Sequence, residues 1–174
     1  MGTVEFQFEY PSVDDVAGYL KTFAVLEEAG WKGREGSAVL KRPGFYDFFS
    51  AGLREFARTR RVRFDSILLD DKVVAIQMGL ESHGRYYLIK PTYDETLAAL
   101  SPGLLLTHAA IAHSAEKGLR SYEFLGAEDE WKLIWADSVH PTRTWVFYPY
   151  SYCGLSALTN DVGRKLFSRF RYWI

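Results

Sequence analysis

The sequence predicts an α/β (α+β) protein built on one twisted, mixed sheet with helices on both faces. Segments of period two cluster into a meander in the middle of the chain. Segments of helical period flank that meander and cross over to a further strand. The 174 residues hold no Pro/Gly/Ser linker, internal repeat or low-complexity tract, so one core domain is expected.

The opening alternates, with Phe6, Phe8 and Tyr10 on one face and Glu5, Gln7 and Glu9 on the other. That is a strand with one wet side. Pro11-Ser12 supplies a turn and a helix cap, and Val13, Val16, Leu20 and Phe23 follow at helical spacing. Gly30 to Gly36 (GWKGREG) carries three glycines among charges and reads as a loop. A second helix is expected from Pro43, with Phe45, Phe49, Leu53 and Phe56 on its apolar face. Arg58, Arg60, Arg61 and Arg63 crowd its end. There cations complement the helix dipole on a solvated terminus, with a phosphate-binding patch as the alternative.

Val62 to Leu69 and Val73 to Glu81 form a hairpin about Asp70-Asp71-Lys72. A third strand, Tyr86 to Lys90, is ended by Pro91. Pro102-Gly103 opens a helix that runs to about Lys117, where Gly118 stops it. Ser121 to Leu125 is a short strand closed by Gly126. A short helix, Asp129 to Trp135, and a last strand, Arg143 to Tyr148, complete a domain over 1–150. In the tail, 151–174, Leu155, Leu158, Val162, Leu166 and Phe170 recur at helical spacing. They predict an amphipathic helix packed on the domain or on a partner.

Composition excludes several functions. Twenty-one basic against 22 acidic residues give a net charge of −1, which argues against broad binding to nucleic acid or anionic lipid. No apolar run approaches the roughly 18 residues a membrane span needs, so no membrane insertion is expected. Met1 to Glu5 lacks a basic stretch leading into an apolar one, so no signal peptide is expected. A lone Cys153 suits a reducing compartment, and the cytoplasm is the expected location. Cys153 has no helix start or basic partner near it in sequence, so a nucleophilic role is not expected. His83, His108, His113 and His140 have no ligand-like spacing with carboxylates, so no metal is expected. His108 falls on the apolar side of its helix with Leu104, Leu105 and Ile111, and His113 falls on the solvent side. The chain contains no nucleotide-binding glycine loop, zinc-protease motif or nucleophile elbow.

The informative stretch is Tyr86 to Leu106, YYLIKPTYDETLAALSPGLLL. A strand meets a proline, and a connection leads to a helix beginning Ser-Pro-Gly. Ser101 can cap that helix, Pro102 removes an N–H that had no partner, and Gly103 lets a ligand approach the backbone. The remaining N–H groups, those of Leu104 and Leu105 among them, make an anion site suited to a pyrophosphate. A well-capped helix is the plainer reading. Pro91 cannot donate a ladder bond, so the strands beside it can splay and admit an extended ligand along the strand edge.

The strings WKGREGSA (Trp31 to Ala38), KPTYDETLAALSPGLLL (Lys90 to Leu106) and YEFLGAEDEWKLIW (Tyr122 to Trp135) occur in this order. In them the chain resembles the acetyltransferase family named after cellulose-biosynthesis proteins. That family belongs to the GNAT (acyl-CoA N-acyltransferase) superfamily and is related to the Fem-type peptidyltransferases. The resemblance covers roughly 31–148. It implies the GNAT fold, acetyl-CoA or another acyl-CoA as co-substrate, and an amine as acceptor. The superfamily's phosphate loop reads Arg/Gln-x-x-Gly-x-Gly/Ala, whereas this chain reads Ala98-Ala99-Leu100-Ser101-Pro102-Gly103. Members commonly pair two GNAT-like halves, which leads to an expectation of a homodimer or of a missing second half.

Acyl transfer to an amine needs a base, donors for an oxyanion and an acid for the departing thiolate. The resemblance implies that backbone N–H groups from Tyr87 through Ile89 to Lys90 hold the thioester carbonyl. Glu123, on the short strand among aromatic residues, is the candidate base; an outward-facing carboxylate is the alternative. Tyr93 and Asp94 can protonate the thiolate or grip the amine, or they serve the turn alone. Trp31, Lys32 and Arg34 can cover the acceptor, as mobile loop residues otherwise. Lys132 can bind a phosphate or acidic group, with an exposed helix residue as the alternative, and Trp135 with its i, i+4 partner Trp131 can serve as core or cleft wall, or else as a recognition platform for the substrate.

The expected function is therefore acyl transfer from coenzyme A to the amine of a small molecule or sugar. A Fem-like peptidyltransferase using aminoacyl-tRNA and a non-catalytic binding or assembly module are the rivals.

Overall fold

The computed structural model describes residues 2–141 and 145–170. One five-stranded sheet has the order β1 (Val4–Glu9), β2 (Val62–Leu69), β3 (Lys72–Ser82), β4 (Arg85–Tyr93) and β5 (Ser121–Glu123). The first four pair antiparallel, and β5 joins β4 in parallel, so the sheet is mixed as predicted. The β2–β3 turn passes through Asp70 and Asp71 at φ of 50° and 62°, a conformation that Asp tolerates better than most residues.

The helices are α1 (Val16–Ala29), α2 (Trp31–Arg34), α3 (Phe45–Ala57), α4 (Pro102–Glu116), α5 (Glu130–Leu133) and α6 (Tyr152–Phe170). Val16, Leu20 and Phe23 of α1 and Leu53 and Ala57 of α3 bury one face against Val62, Phe64, Ile76 and Met78. Leu106 of α4 packs against Ile67, Val74 and Ala75; alternation puts Ile67 and Ala75 on the opposite face, and a bulge at Val74 brings it to the same cluster. Helices therefore cover both faces of the sheet.

Several elements depart from the sequence reading. The glycine stretch after α1 is not a loop: Trp31–Arg34 makes one helical turn, and a 3-10 turn follows at Val39–Lys41. Helix α3 begins after Gly44, whose left-handed φ of 77° reverses the chain beyond Pro43. β4 continues through Pro91 to Tyr93, and a 3-10 segment, Glu95–Leu100, precedes α4. β5 stops at Glu123, short of Leu125. No strand forms over Trp145–Tyr148, and the first residues of that expected strand lie outside the described ones.

The chain divides into two compact units, Met1–Asp129 and Glu130–Ile174. The first holds the sheet and α1 to α4. The second holds α5, α6 and a groove of about 450 Å³ between Tyr148–Tyr152 and Leu155. The tail helix starts at Tyr152, three residues before Leu155, and the side chains of Leu166 and Phe170 lie outside the described ones. No described helix is long and apolar enough to cross a membrane.

Candidate active site

The β4–β5 ladder pairs Arg85 with Ser121, Tyr86 with Tyr122 and Tyr87 with Glu123, and ends there. β4 runs on to Tyr93 without that neighbour. On its other side the register with β3 jumps from Gly79–Leu88 to Met78–Lys90, so Ile89 is an extra, bulged residue. Beyond the bulge, the Asp94 N–H donates to the Val74 carbonyl at 2.7 Å. Ala75–Tyr93 is therefore a non-hydrogen-bonded pair, and so is Gln77–Pro91 two residues earlier. The backbone polar groups of Tyr93 and the Pro91 carbonyl consequently point away from β3, toward the edge that β5 has left. This register also explains why proline is tolerated: its missing N–H would have pointed outward.

α2 is fastened beside this edge. The Trp31 N–H donates to Glu95 Oε1 at 2.5 Å, and Arg34 Nη2 meets Glu95 Oε2 at 2.7 Å. Between them, Lys32 Nζ donates to the Pro91 carbonyl at 2.7 Å. The same ammonium pairs with Glu27 Oε1 at 3.5 Å, and Lys90 Nζ reaches that oxygen at 2.8 Å. Glu27 Oε2 accepts the Val39 N–H at 2.7 Å, and Glu27 is fully buried. Burial holds the Lys32 ammonium below the usual lysine range, against the raising effect of Glu27. Of three predicted substrate residues, Lys32 is thus brought onto the strand that carries Lys90, and Trp31 and Arg34 onto Glu95 just beyond it. The alternative of a mobile loop does not hold, since all three residues are bonded. Glu27 escaped the sequence reading, although it continues the buried Val16, Leu20, Phe23 row by one more turn; a carboxylate on an apolar stripe was the available signal.

On the other side of the strand, the Tyr93 ring packs over the first turn of α4. A Cβ at Gly103 would sit 3.1 Å from Tyr93 Cδ1, so the glycine accommodates that ring. Ser101 occupies the cap position, but its side chain makes no capping bond and its backbone is left-handed, with φ of 50°. Its carbonyl takes the N–H of Leu104 at 3.0 Å and of Leu105 at 3.1 Å. Those two predicted phosphate donors are therefore engaged within the helix, which leaves the Gly103 N–H to its first turn.

Glu123 ends β5 on the face opposite Tyr122. Its Oε1 accepts from Arg85 Nη1 at 3.0 Å and from Ser121 Oγ at 2.6 Å. Asp94 holds the turn that follows β4. Its Oδ1 accepts the Thr96 N–H at 3.0 Å and hydroxyl at 2.6 Å, and its Oδ2 lies 3.3 Å from Lys72 Nζ. The Thr96 bonds hold its carboxyl below the usual range, so it caps the 3-10 turn as an anion, a form suited to gripping an amine rather than to giving up a proton.

Arg63 is a correction: it lies in β2, fully buried, and not on a solvated helix end. Its guanidinium bonds Asp65, Glu81 and Ser114 and stacks 3.9 Å over the Tyr86 ring. Asp65 also receives Gln77 and Tyr86, and Gln77 donates to the Tyr122 hydroxyl at 2.9 Å. This network reverses the expected faces of α4. Its buried row is Pro102, Leu106, Thr107, Ala110 and Ser114, because Ser114 serves Arg63, and His108 is exposed. His113 instead stacks on Phe8, with ring centroids 4.2 Å apart.

Lys132 and Trp135 belong to the second unit. There the Lys132 ammonium lies 5.6 Å from the Trp131 ring centroid, and the Trp135 N–H donates to the Lys132 carbonyl at 3.0 Å.

Residues 1–133 match the acetyltransferase (GNAT) domain family, and the chain belongs to that family. No curated protein matches it. Among solved structures it is similar to an aminoglycoside acetyltransferase from an uncultured soil metagenomic sample, at 15% identity and TM-score 0.54, over 86% of this chain and 99% of that one. A second, from the same kind of source and in complex with trehalose, aligns at 18% identity and TM-score 0.52, over 85% and 95% of the two chains. The aminoglycoside N-acetyltransferase AAC(6')-Iy in complex with CoA aligns at 13% identity and TM-score 0.52, over 86% and 95%. At these identities the likeness is one of fold.

Proposed function

We propose that this chain transfers an acetyl or other acyl group from coenzyme A to the amine of a small-molecule or sugar acceptor, by direct attack. One observation carries the reading: β4 outruns β5 by six residues' worth of strand, Leu88 to Tyr93, and bulges at Ile89 where the pairing ends. The Pro91 carbonyl and the N–H and C=O of Tyr93 face that edge, which suits an extended ligand bearing amides. The Gly103 N–H, at the start of α4, suits its phosphates.

In this reading the acyl group is supplied by the bound thioester, and its carbonyl oxygen is received by backbone N–H groups about the Ile89 bulge. Glu123 accepts the proton of the attacking amine, directly or through water. The nitrogen–carbon bond forms, the carbon–sulfur bond breaks, and the Tyr93 hydroxyl protonates the thiolate. A reducing cytoplasm, where the lone cysteine stays a thiol, suits such a reaction.

Thermal-shift titration with acetyl-CoA and with free CoA tests this. Both are expected to raise Tm progressively through the millimolar range, since a ligand of the folded state stabilises it. No shift at millimolar ligand overturns the proposal.

A further inference from the structure

The Glu27 cluster lies on the α1 side of the open edge, and its charges do not cancel. One buried carboxylate faces two ammonium groups, Lys32 and Lys90, which leaves a surplus of one positive charge. Neither lysine is sealed: their side chains are 19% and 20% exposed. An ammonium has three N–H donors. Lys32 directs them at the Pro91 carbonyl and Glu27, and Lys90 directs one at Glu27. Donor capacity and charge therefore both remain at the rim. Val39 closes the far side of Glu27, so the carboxylate cannot swing out to neutralise a cation from solvent.

We infer that Lys32 and Lys90 bind a carboxylate of the acceptor, so that the preferred substrate is an amine carrying a carboxylate rather than a polycationic amine. A single carboxylate matches the surplus charge and can accept from both ammonium groups at once. Its amine then lies along the edge toward the Ile89 bulge, one residue before Lys90. A polycation would meet the same surplus as repulsion. Glu27 is a positioning residue here: it holds both lysines at the edge without facing the acceptor. The inference rests on the acyl-transfer reading above and narrows its substrate.

The test uses the wild-type chain, acetyl-CoA and matched acceptors, an amino acid against its own amide, with a linear polyamine as the third arm. Thiol release is followed. The amino acid is expected to show at least about tenfold higher kcat/KM than its amide, mainly through KM. Lys90→Met should collapse that ratio toward one, and Lys90→Arg should restore it in part. Should Lys90→Met fail to fold, binding of the N-acetylated amino acid and of its amide to the wild type, measured by calorimetry without CoA, decides the same point. Equal or reversed preference overturns the inference, whereas a missing acetyl-CoA thermal shift overturns the acyl-transfer reading itself. Carboxylate-selective binding of the N-acetylated product without any acetyl-CoA shift supports the lysine pair and rejects only the chemistry.

Discussion

Arg63 Nε meets Asp65 Oδ1 at 2.7 Å, and Arg63 Nη2 meets Oδ2 at 3.1 Å, with neither side chain exposed. Breaking one partner of such a pair strands a buried charge. Arg63→Met is therefore expected to cost about 3–5 kcal/mol. Urea denaturation of Arg63→Met, Asp65→Leu and the double variant checks this, and the double variant should recover part of the loss. A single-variant cost below about 1 kcal/mol would refute the pairing as drawn.

His113 lies flat on Phe8, and burial lowers its pKa below the usual histidine range. The unfolded chain then binds the proton more readily, so this site contributes stability above about pH 6.5 and loses it as pH falls through the lower folded value. Stability should decline as pH falls below about 6.5, and His113→Phe should flatten that part of the profile. An unchanged slope in the variant assigns the decline elsewhere.

Gly33 sits in α2, where a Cβ would come within 1.8 Å of the Glu28 carbonyl oxygen. Backbone must move, so Gly33→Ala is expected to cost about 1–3 kcal/mol and to shift Lys32 off the Pro91 carbonyl. Gly52, inside α3, offers open space instead: a Cβ there would meet no atom within 4 Å. Gly52→Ala should therefore stabilise by about 0.5–1 kcal/mol, since alanine suits a helix interior better. Paired thermal melts decide both.

Glu123→Gln should preserve the acetyl-CoA thermal shift and lower kcat by roughly 10²- to 10⁴-fold, the usual range for loss of a general base. Unchanged turnover would remove Glu123 from that role. Arg85 bonds the same carboxylate, so Arg85→Met is a useful companion, changing the pH profile rather than abolishing turnover.

Periodicity made the hairpin, α4 and the mixed sheet legible, because each buries a face that repeats in the sequence. Pro91 misled because a strand proline is forbidden only where its N–H would face a partner, and register is invisible in one dimension. Arg63 misled for a related reason: its neighbours Arg58, Arg60 and Arg61 look alike in sequence, but only Arg63 falls within β2. The cluster beside the open edge was partly legible in Trp31 and Lys32, read as acceptor residues, and in Lys90, read as a cofactor residue, which lie in two separate strings. Glu27, which joins them, lay inside a helix whose apolar row distracted from it. The face of α4 was read backwards because apolar residues surround that helix, and its buried row mixes Leu106 and Ala110 with Thr107 and Ser114.

The alternation of β2 has a further consequence. Arg63 and Asp65 face α4, while Val62 and Phe64 face α1 and α3. Sliding this strand by a single residue would thrust the guanidinium into oil and leave a phenyl ring against a carboxylate. The polar pair is thus a key cut for one alignment, the one that also sets the open edge beside Pro91.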